Sequence, residues 1–209
     1  MKRVVQLVGN GDNASLFFKE PRPGMKLTCT LPPFNVAGTY ASVIVDFKMM
    51  KAIQEGSIQV PGQWILGMRP KIHLDKHPTF YIRVSPQVKE FYTVLPNYVA
   101  NYTDFNCGHM AVHYAANKVK AEEIHMYGFD SIFDFNLRSC SDFYLNSDRG
   151  NLNTNRLANN WRPVWQNMFK EFPNTKFIMH HIHDAVKFPV PDNVSVKTYD
   201  SKAKMDIVN

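Results

Sequence analysis

Short apolar segments with strand-like patterns alternate with segments of helical spacing along most of this 209-residue chain. The strand-like segments cover residues 2–8, 26–30, 41–46, 64–66, 80–84, 122–127 and 175–180, and the helical segments cover residues 14–20, 47–55, 107–119 and 159–172. Alternation of strands with helices predicts an α/β domain with a mostly parallel sheet and helices on both of its faces.

The composition is that of a folded domain. Hydrophobic residues make up 44% of the chain and charged residues 20%, so the chain can bury a core. We expect one domain over residues 1–200 and a tail over residues 201–209. The apolar runs are far shorter than the ~20 residues of a membrane span, and the basic N-terminus breaks at Gly9, too early for a secretory signal. Three cysteines without metal-ligand spacing favour a reducing, cytoplasmic location and no metal site.

The charge balance is basic, with 24 Lys and Arg against 18 Asp and Glu and a net charge of +6. Such an excess suits nucleic acid, a nucleotide or another phosphorylated small molecule. The basic residues are scattered rather than gathered in a run, which is typical of a solvated surface and makes a nucleic-acid groove the weaker expectation. We therefore expect a nucleotide-sized partner, and the sequence leaves homo-oligomer formation open.

Two glycine-containing turns follow predicted strands. Gly9, Asn10 and Gly11 come directly after the first strand and precede a helix for which Asp12 or Asn13 is the predicted N-cap. Glycine permits close backbone approach, and the free amides at a helix start suit a phosphate. A tight turn without a ligand explains the same pattern equally well.

The second turn, Gly128-Phe129-Asp130, follows the strand near residue 125. Parallel strands end at the same edge of a sheet, so both turns are expected at one edge, where ligands of α/β proteins collect. Asp130 fits a contact to a ribose, a metal or a substrate amine, or a cap of the following turn.

Other side chains could carry chemistry. Cys107, between Asn106 and Gly108 at the start of a helix, fits either a nucleophile or a small buried residue beside a tight turn. His181 and His183 alternate along a predicted strand and are expected to share a face, as a general base, as metal ligands or as satisfied surface histidines.

The polar segment over residues 131–155 is too long for a simple connection. Segments of this length without helix or strand patterns in compact domains are usually lids or binding loops. We therefore predict that residues 131–155 form a lid.

Two blocks of sequence resemble a known family. The opening RVVQLVGNGDNAS at residues 3–15 looks like the start of the bacterial α-2,3/2,8-sialyltransferases of lipooligosaccharide synthesis (glycosyltransferase family 42) and of the related MptE-like pterin pyrophosphokinases. NCGHMAVHYAA at residues 106–116 and AEEIHMYGFD at residues 121–130 match a helix, strand and turn of the same sialyltransferases. The resemblance implies a single Rossmann-like domain, a GT-A variant with a lid, that binds a CMP-sugar and needs no metal or other cofactor.

The same resemblance implies which residues contact the nucleotide-sugar. The glycine turn would approach the donor phosphate and sugar, the start of the second block would line the cytidine pocket, and the Gly-Phe-Asp turn would close the nucleotide side. Tyr144 in the lid would contact the phosphate. The complete set is Gly9, Asn10, Gly11, Asn35, Asn106, Cys107, Gly108, Gly128, Phe129, Asp130 and Tyr144.

The sequence departs from this family at its catalytic base. The sialyltransferases carry a catalytic histidine in the lid, and no histidine occurs here between His125 and His180. Asp148, His181 and His183 are therefore the candidate catalytic residues. The resulting expectation is transfer of a sugar from a nucleotide-sugar to an acceptor; the alternatives are a non-catalytic nucleotide-binding or sequestering protein and a pterin pyrophosphokinase-like enzyme that uses ATP and Mg²⁺.

Overall fold

A computed structural model describes residues 2–20, 22–133, 160–184 and 186–202. Most of the predicted lid, with Tyr144 and Asp148, and most of the predicted tail lie outside these residues. The described part of the chain forms one eight-stranded sheet whose neighbouring strands are all parallel, flanked by helices. This architecture is Rossmann-like and confirms the predicted fold class. None of the described helices is both long and apolar enough to cross a membrane.

The helices and strands follow in chain order. The strands are β1 Val4–Val8, β2 Met25–Cys29, β3 Thr39–Ile44, β4 Trp64–Leu66, β5 Val88–Phe91, β6 Glu123–Tyr127, β7 Lys176–His181 and β8 Val194–Thr198. The α-helices are α1 Phe47–Gln54, α2 Met68–Lys76, α3 Pro78–Val84, α4 Cys107–His113 and α5 Arg162–Glu171. A π-helix, Tyr114–Lys118, continues α4, and 3₁₀-helices occupy Asp12–Phe18, Ser85–Gln87 and Asp130–Ile132.

The strand predicted at residues 80–84 is wrong, because this segment belongs to helix α3. Pro78 stands in the first turn of α3, where its fixed backbone angle favours a helix and its missing N–H costs nothing. Phe80 and Val84 are buried, whereas Ile82 between them is 76% exposed. A spacing of four residues between the buried side chains fits one face of a helix, and in a strand Ile82 would share their face.

One helix and two strands were not predicted from the sequence. Helix α2 buries only Pro70 and Leu74, too few apolar residues to mark a helical face. Strands β5 and β8 lie at the two edges of the sheet and are largely half-buried or exposed, so their patterns lack the apolar residues of central strands.

The strand order reverses between β1 and β6. The sheet reads β5-β4-β3-β2-β1-β6-β7-β8, so the chain first builds outward from β1 and then crosses back to place β6 on its other side. Val43 belongs to the core formed with α4 and α5, and its neighbour Ile44 to the core formed with α1, α2 and α3. Because successive side chains of a strand point to opposite faces, the helices cover both faces of the sheet, as predicted.

A chain of hydrogen bonds lies buried on the sheet face that carries α1. His125 Nε2 lies 2.7 Å from Glu123 Oε1, His125 Nδ1 lies 2.9 Å from His180 Nε2, and His180 Nδ1 lies 2.8 Å from the Tyr199 hydroxyl. Because the carboxylate can only accept, His125 Nε2 donates to Glu123. With both rings neutral, His180 Nε2 donates to His125 Nδ1 and the Tyr199 hydroxyl donates to His180 Nδ1, so every ring nitrogen is bonded.

Burial keeps these histidines uncharged. Desolvation, with the nearby His125, Arg22 and Lys197, lowers the pKa of His180 to about 3, and desolvation also lowers the pKa of His125. Removal from water disfavours the imidazolium form more than the neighbouring carboxylate favours it. The pair therefore stays neutral near pH 7.

Candidate functional site

The two predicted glycine turns meet at the carboxyl edge of the sheet, where the strand order reverses. Gly9 N–H donates to the Tyr127 carbonyl at 2.7 Å, and Gly11 N–H donates to the Gly128 carbonyl at 3.0 Å. A Cβ on Gly9 would lie 2.6 Å from the Gly128 oxygen, and a Cβ on Gly11 would lie 2.5 Å from the Asp130 carboxyl carbon. These glycines are therefore needed for contact between the two turns, whether or not a ligand binds.

Most of the amides in the first turn are already used within the protein. Besides the two glycine amides, Asn13 N–H donates to Asp130 Oδ2 at 3.2 Å, and Ala14 N–H donates to the Gly11 carbonyl at 3.0 Å. The amides that were expected to be free for a phosphate are thus largely occupied by hydrogen bonds within the protein. One of their acceptors is the Asp130 carboxylate of the neighbouring turn, which takes part of the position expected for the phosphate. A phosphate at this edge would need other donors for most of its oxygens.

Asn13 contacts the turn that follows β6 and the last residue of β7. Its side-chain nitrogen lies 3.0 Å from Asp130 Oδ1 and 2.9 Å from His181 Nε2. The predicted N-cap role for Asp12 or Asn13 is wrong: Gly11 holds the N-cap position and no side chain caps the 3₁₀-helix. The Asn13 side chain instead contacts residues at the carboxyl ends of β6 and β7 from its own position after β1. The sequence could not indicate these contacts, because both partners are more than a hundred residues away.

His181 is held on both ring nitrogens. Its Nδ1 accepts the His183 backbone N–H at 3.0 Å, so a neutral ring carries its proton on Nε2. Nε2 points at Asp130 Oδ1 at 3.5 Å and lies 2.9 Å from the Asn13 side-chain nitrogen. The ring is 2% exposed and stacks on Phe133 with a centroid distance of 3.9 Å and an interplanar angle of 5°. Neither nitrogen is presented to a substrate in this arrangement.

His183 differs from His181 in exposure and position. Strand β7 ends at His181, so the prediction that both histidines lie on one strand is wrong for His183. The His183 ring is exposed at the carboxyl edge, with its centroid 5.1 Å from that of His181. Of the two, His183 is therefore the one that a solvent-borne acceptor could reach.

Asn106 and Cys107 form the start of α4 through bonds within the protein. The Asn106 side chain accepts the His109 N–H at 2.9 Å, and His109 Nδ1 accepts the Asn106 N–H at 3.2 Å, which makes a reciprocal N-cap. The Cys107 thiol donates to the Val43 carbonyl at 2.8 Å and lies 3.4 Å from the Thr30 hydroxyl. Neither partner activates a thiol, so this geometry favours the structural role for Cys107.

Thr30 is a feature of this edge that the sequence did not reveal. Its backbone has a φ of 48°, which is uncommon for a β-branched residue and costs about 1–3 kcal/mol. Its amide donates to the Val43 carbonyl at 2.9 Å, the same carbonyl that accepts from Cys107. Backbone conformation of this kind is imposed by packing between strands and has no sequence signature in a threonine.

The remaining predicted residues divide by burial. Phe129 is 7% exposed and packs edge-on against Trp165, and a Cβ on Gly108 would lie 3.0 Å from the Phe129 ring. Asn10 is half-buried beside the glycine turn, whereas Asn35 is exposed in the connection between β2 and β3. Phe129 and Gly108 therefore contribute packing beneath this edge, and the side-chain oxygen of Asn10 is buried in the glycine turn without a hydrogen-bond partner among the described residues.

The described residues contain no group of three or more His, Cys, Asp or Glu side chains placed to hold a metal ion. Comparison of the chain with protein-family models, with curated proteins and with solved structures finds no significant match. The resemblance to the sialyltransferases consequently stays a prediction.

Proposed function

We propose that this protein binds a nucleotide or a nucleotide-activated sugar of the CMP type at the carboxyl edge of the sheet and transfers the sugar to an acceptor. The observation that carries the proposal is the reversal of strand order between β1 and β6, with two glycine turns in contact at that point. Nucleotides bind doubly wound parallel sheets at such a position, because the connections diverge there and leave a crevice. The net charge of +6 favours a phosphorylated ligand.

In the proposed reaction the acceptor hydroxyl oxygen attacks the anomeric carbon while the bond from that carbon to the phosphate oxygen breaks. A base takes the hydroxyl proton, and the nucleoside monophosphate leaves with the bonding electrons. Among the described candidates His183 is the residue suited to this step, since the His181 ring is buried and its Nδ1 already accepts the His183 backbone N–H.

A second candidate function is nucleotide binding without turnover. The observation that favours it is the enclosure of His181 by Phe133, Asn13 and the His183 backbone. In that case the Asn13, Asp130 and His181 contacts serve to fix the two turns, and the crevice sequesters or senses its ligand.

Nucleotide binding is tested by thermal unfolding in the presence of CMP, UMP and AMP. A ligand at 100 times its dissociation constant adds about 2.7 kcal/mol to the free energy of unfolding. We expect a rise in Tm that is larger for CMP than for AMP. Absence of stabilisation by all three nucleotides at millimolar concentration would contradict the proposed binding.

Transfer is tested separately by the release of CMP from CMP-sugars. Replacement of His183 by glutamine is expected to slow release by about 10²–10⁴-fold while CMP affinity is retained, because a general base contributes to the rate and not to nucleotide binding. His77→Gln, on the distant junction of α2 and α3, is the matched control and should leave the rate unchanged. Tight CMP binding without release by the unmodified protein would favour the second candidate function.

A further inference from the structure

Three phenylalanine rings form a cluster on the sheet face that carries the first 3₁₀-helix. Phe18 and Phe34 are in contact, with ring centroids 4.4 Å apart, and Phe17 lies 5.5 Å from Phe18 and 6.4 Å from Phe34. Phe18 is 44% exposed and Phe34 beside it is half-buried, so part of this aromatic cluster faces solvent and can contact a ligand.

Contacts with the sheet hold the phenylalanine cluster in place. Phe17 packs edge-on against Tyr127 at 5.5 Å, and the Tyr127 hydroxyl donates to Gln6 at 3.0 Å. Val36, two residues after Phe34, is buried against Val8 and Ala14. Two prolines directly before Phe34 restrict the backbone that carries it. The rings are therefore held in place before any ligand arrives, which lowers the entropy lost on binding.

The cluster lies beside the crevice proposed for the nucleotide. The 3₁₀-helix that ends at Phe18 begins next to Gly11, and at ~2.0 Å per residue its two ends are separated by about 12 Å. A nucleotide or nucleotide-sugar can span that distance. Lys26 places its ammonium 6.0 Å from the centre of the Phe17 ring, where it also donates to the Ala37 carbonyl at 2.7 Å, so a positive charge lies beside the cluster. A planar base joined to a phosphate matches this combination.

We propose that the exposed side of Phe18, flanked by the half-buried Phe34, forms the stacking platform for the nucleobase of the ligand. The proposal rests on the proposed function and deepens it by assigning the base of the ligand to this cluster. Stacking on phenylalanine tolerates different bases, since every base has a π-face. Phe18 would thus contribute affinity more than discrimination among bases.

The test compares binding of CMP with binding of ribose 5-phosphate, which lacks a base, by calorimetry. We expect Phe18→Ala to raise the Kd for CMP by about 5- to 150-fold, the usual contribution of one stacked base, and to leave the Kd for ribose 5-phosphate unchanged. Phe18→Leu, which keeps an apolar side chain without a π-face, should weaken CMP binding to a similar degree. Ile82→Ala removes a more exposed apolar side chain on α3 and should change neither Kd.

The outcomes separate this proposal from the proposed function. CMP binding by the unmodified protein that Phe18→Ala leaves intact would overturn the stacking platform and leave the crevice in place. No CMP binding by the unmodified protein would overturn both. Light scattering adds a further outcome: a dimer that Phe18→Ala converts to a monomer would show that the cluster is an interface between two copies, which overturns the platform.

Discussion

Replacement of Gly128 by alanine is expected to lower the free energy of unfolding by about 2–5 kcal/mol. Gly128 has a φ of +72°, and a Cβ at this position would lie 2.7 Å from the Cβ of Ala14 and 3.0 Å from its backbone. The left-handed conformation costs an alanine about 1–2 kcal/mol, and overpacking against fixed backbone adds about 1–3 kcal/mol. Urea unfolding of the two proteins measures the difference.

Gly56→Ala is the matched control. Gly56 has a φ of +78° and no heavy atom within 4 Å of a Cβ built there, so only the conformational cost of about 1–2 kcal/mol applies. The excess loss in Gly128→Ala therefore measures the contact between the two turns. Equal losses in both variants would contradict close packing of Gly128 against Ala14 in the folded protein.

Stability is expected to fall steeply as the pH decreases from about 6 toward 3. Burial lowers the pKa of both His109 and His180 to about 3, whereas both rings take up protons near pH 6.5 in the unfolded chain. Between these values the unfolded state binds more protons, so the free energy of unfolding decreases with falling pH. Two such groups change it by about 2.7 kcal/mol per pH unit, which exhausts a typical total stability of about 5–15 kcal/mol within this range.

The measurement is urea unfolding repeated at a series of pH values. Tyr199, His125, Arg22, Lys197 and Glu20 surround His180, and the two cations oppose its protonation together with burial. His180→Gln removes one buried imidazole and should reduce the pH slope by about 1.4 kcal/mol per unit. Ile82→Ala, which changes no titratable group, should keep the slope of the unmodified protein. A slope that His180→Gln leaves unchanged would show that this histidine is protonated in the folded state.

Central strands could be predicted because burial on both faces marks them in the sequence. Strands β1 and β6 were recognised from short apolar runs followed by glycine turns, and their pairing in register brings Gly9 beside Gly128. Edge strands such as β8, with exposed and half-buried positions, carry no such signal. Helix α3 was mistaken for a strand because β-branched and aromatic residues fit both structures over so short a segment.

The candidate site could be predicted in its location but not in its bonding. Gly11 and Asp130 were both expected at the carboxyl edge of the sheet, and they meet there. Whether the polar groups of the two turns remain available for a ligand depends on the hydrogen bonds that the turns make with each other. Asp130 accepts from the Asn13 backbone amide and side-chain nitrogen and faces Nε2 of His181, in contacts that link residues far apart in the chain. The His183 backbone N–H occupies the other nitrogen of that ring.

The α/β class, the parallel sheet and the edge at which the glycine turns lie could all be predicted, because hydrophobic periodicity and turn chemistry are local properties of the chain. The bonding at that edge depends on the assembled fold. In the folded protein the amides of Gly9 and Gly11 are hydrogen-bonded to the carbonyls of Tyr127 and Gly128, and Phe18 contacts Phe34. His181 is enclosed by its neighbours, whereas His183 is exposed. Each of these outcomes depends on atoms from distant segments that come within hydrogen-bond or van der Waals distance only when the sheet has assembled.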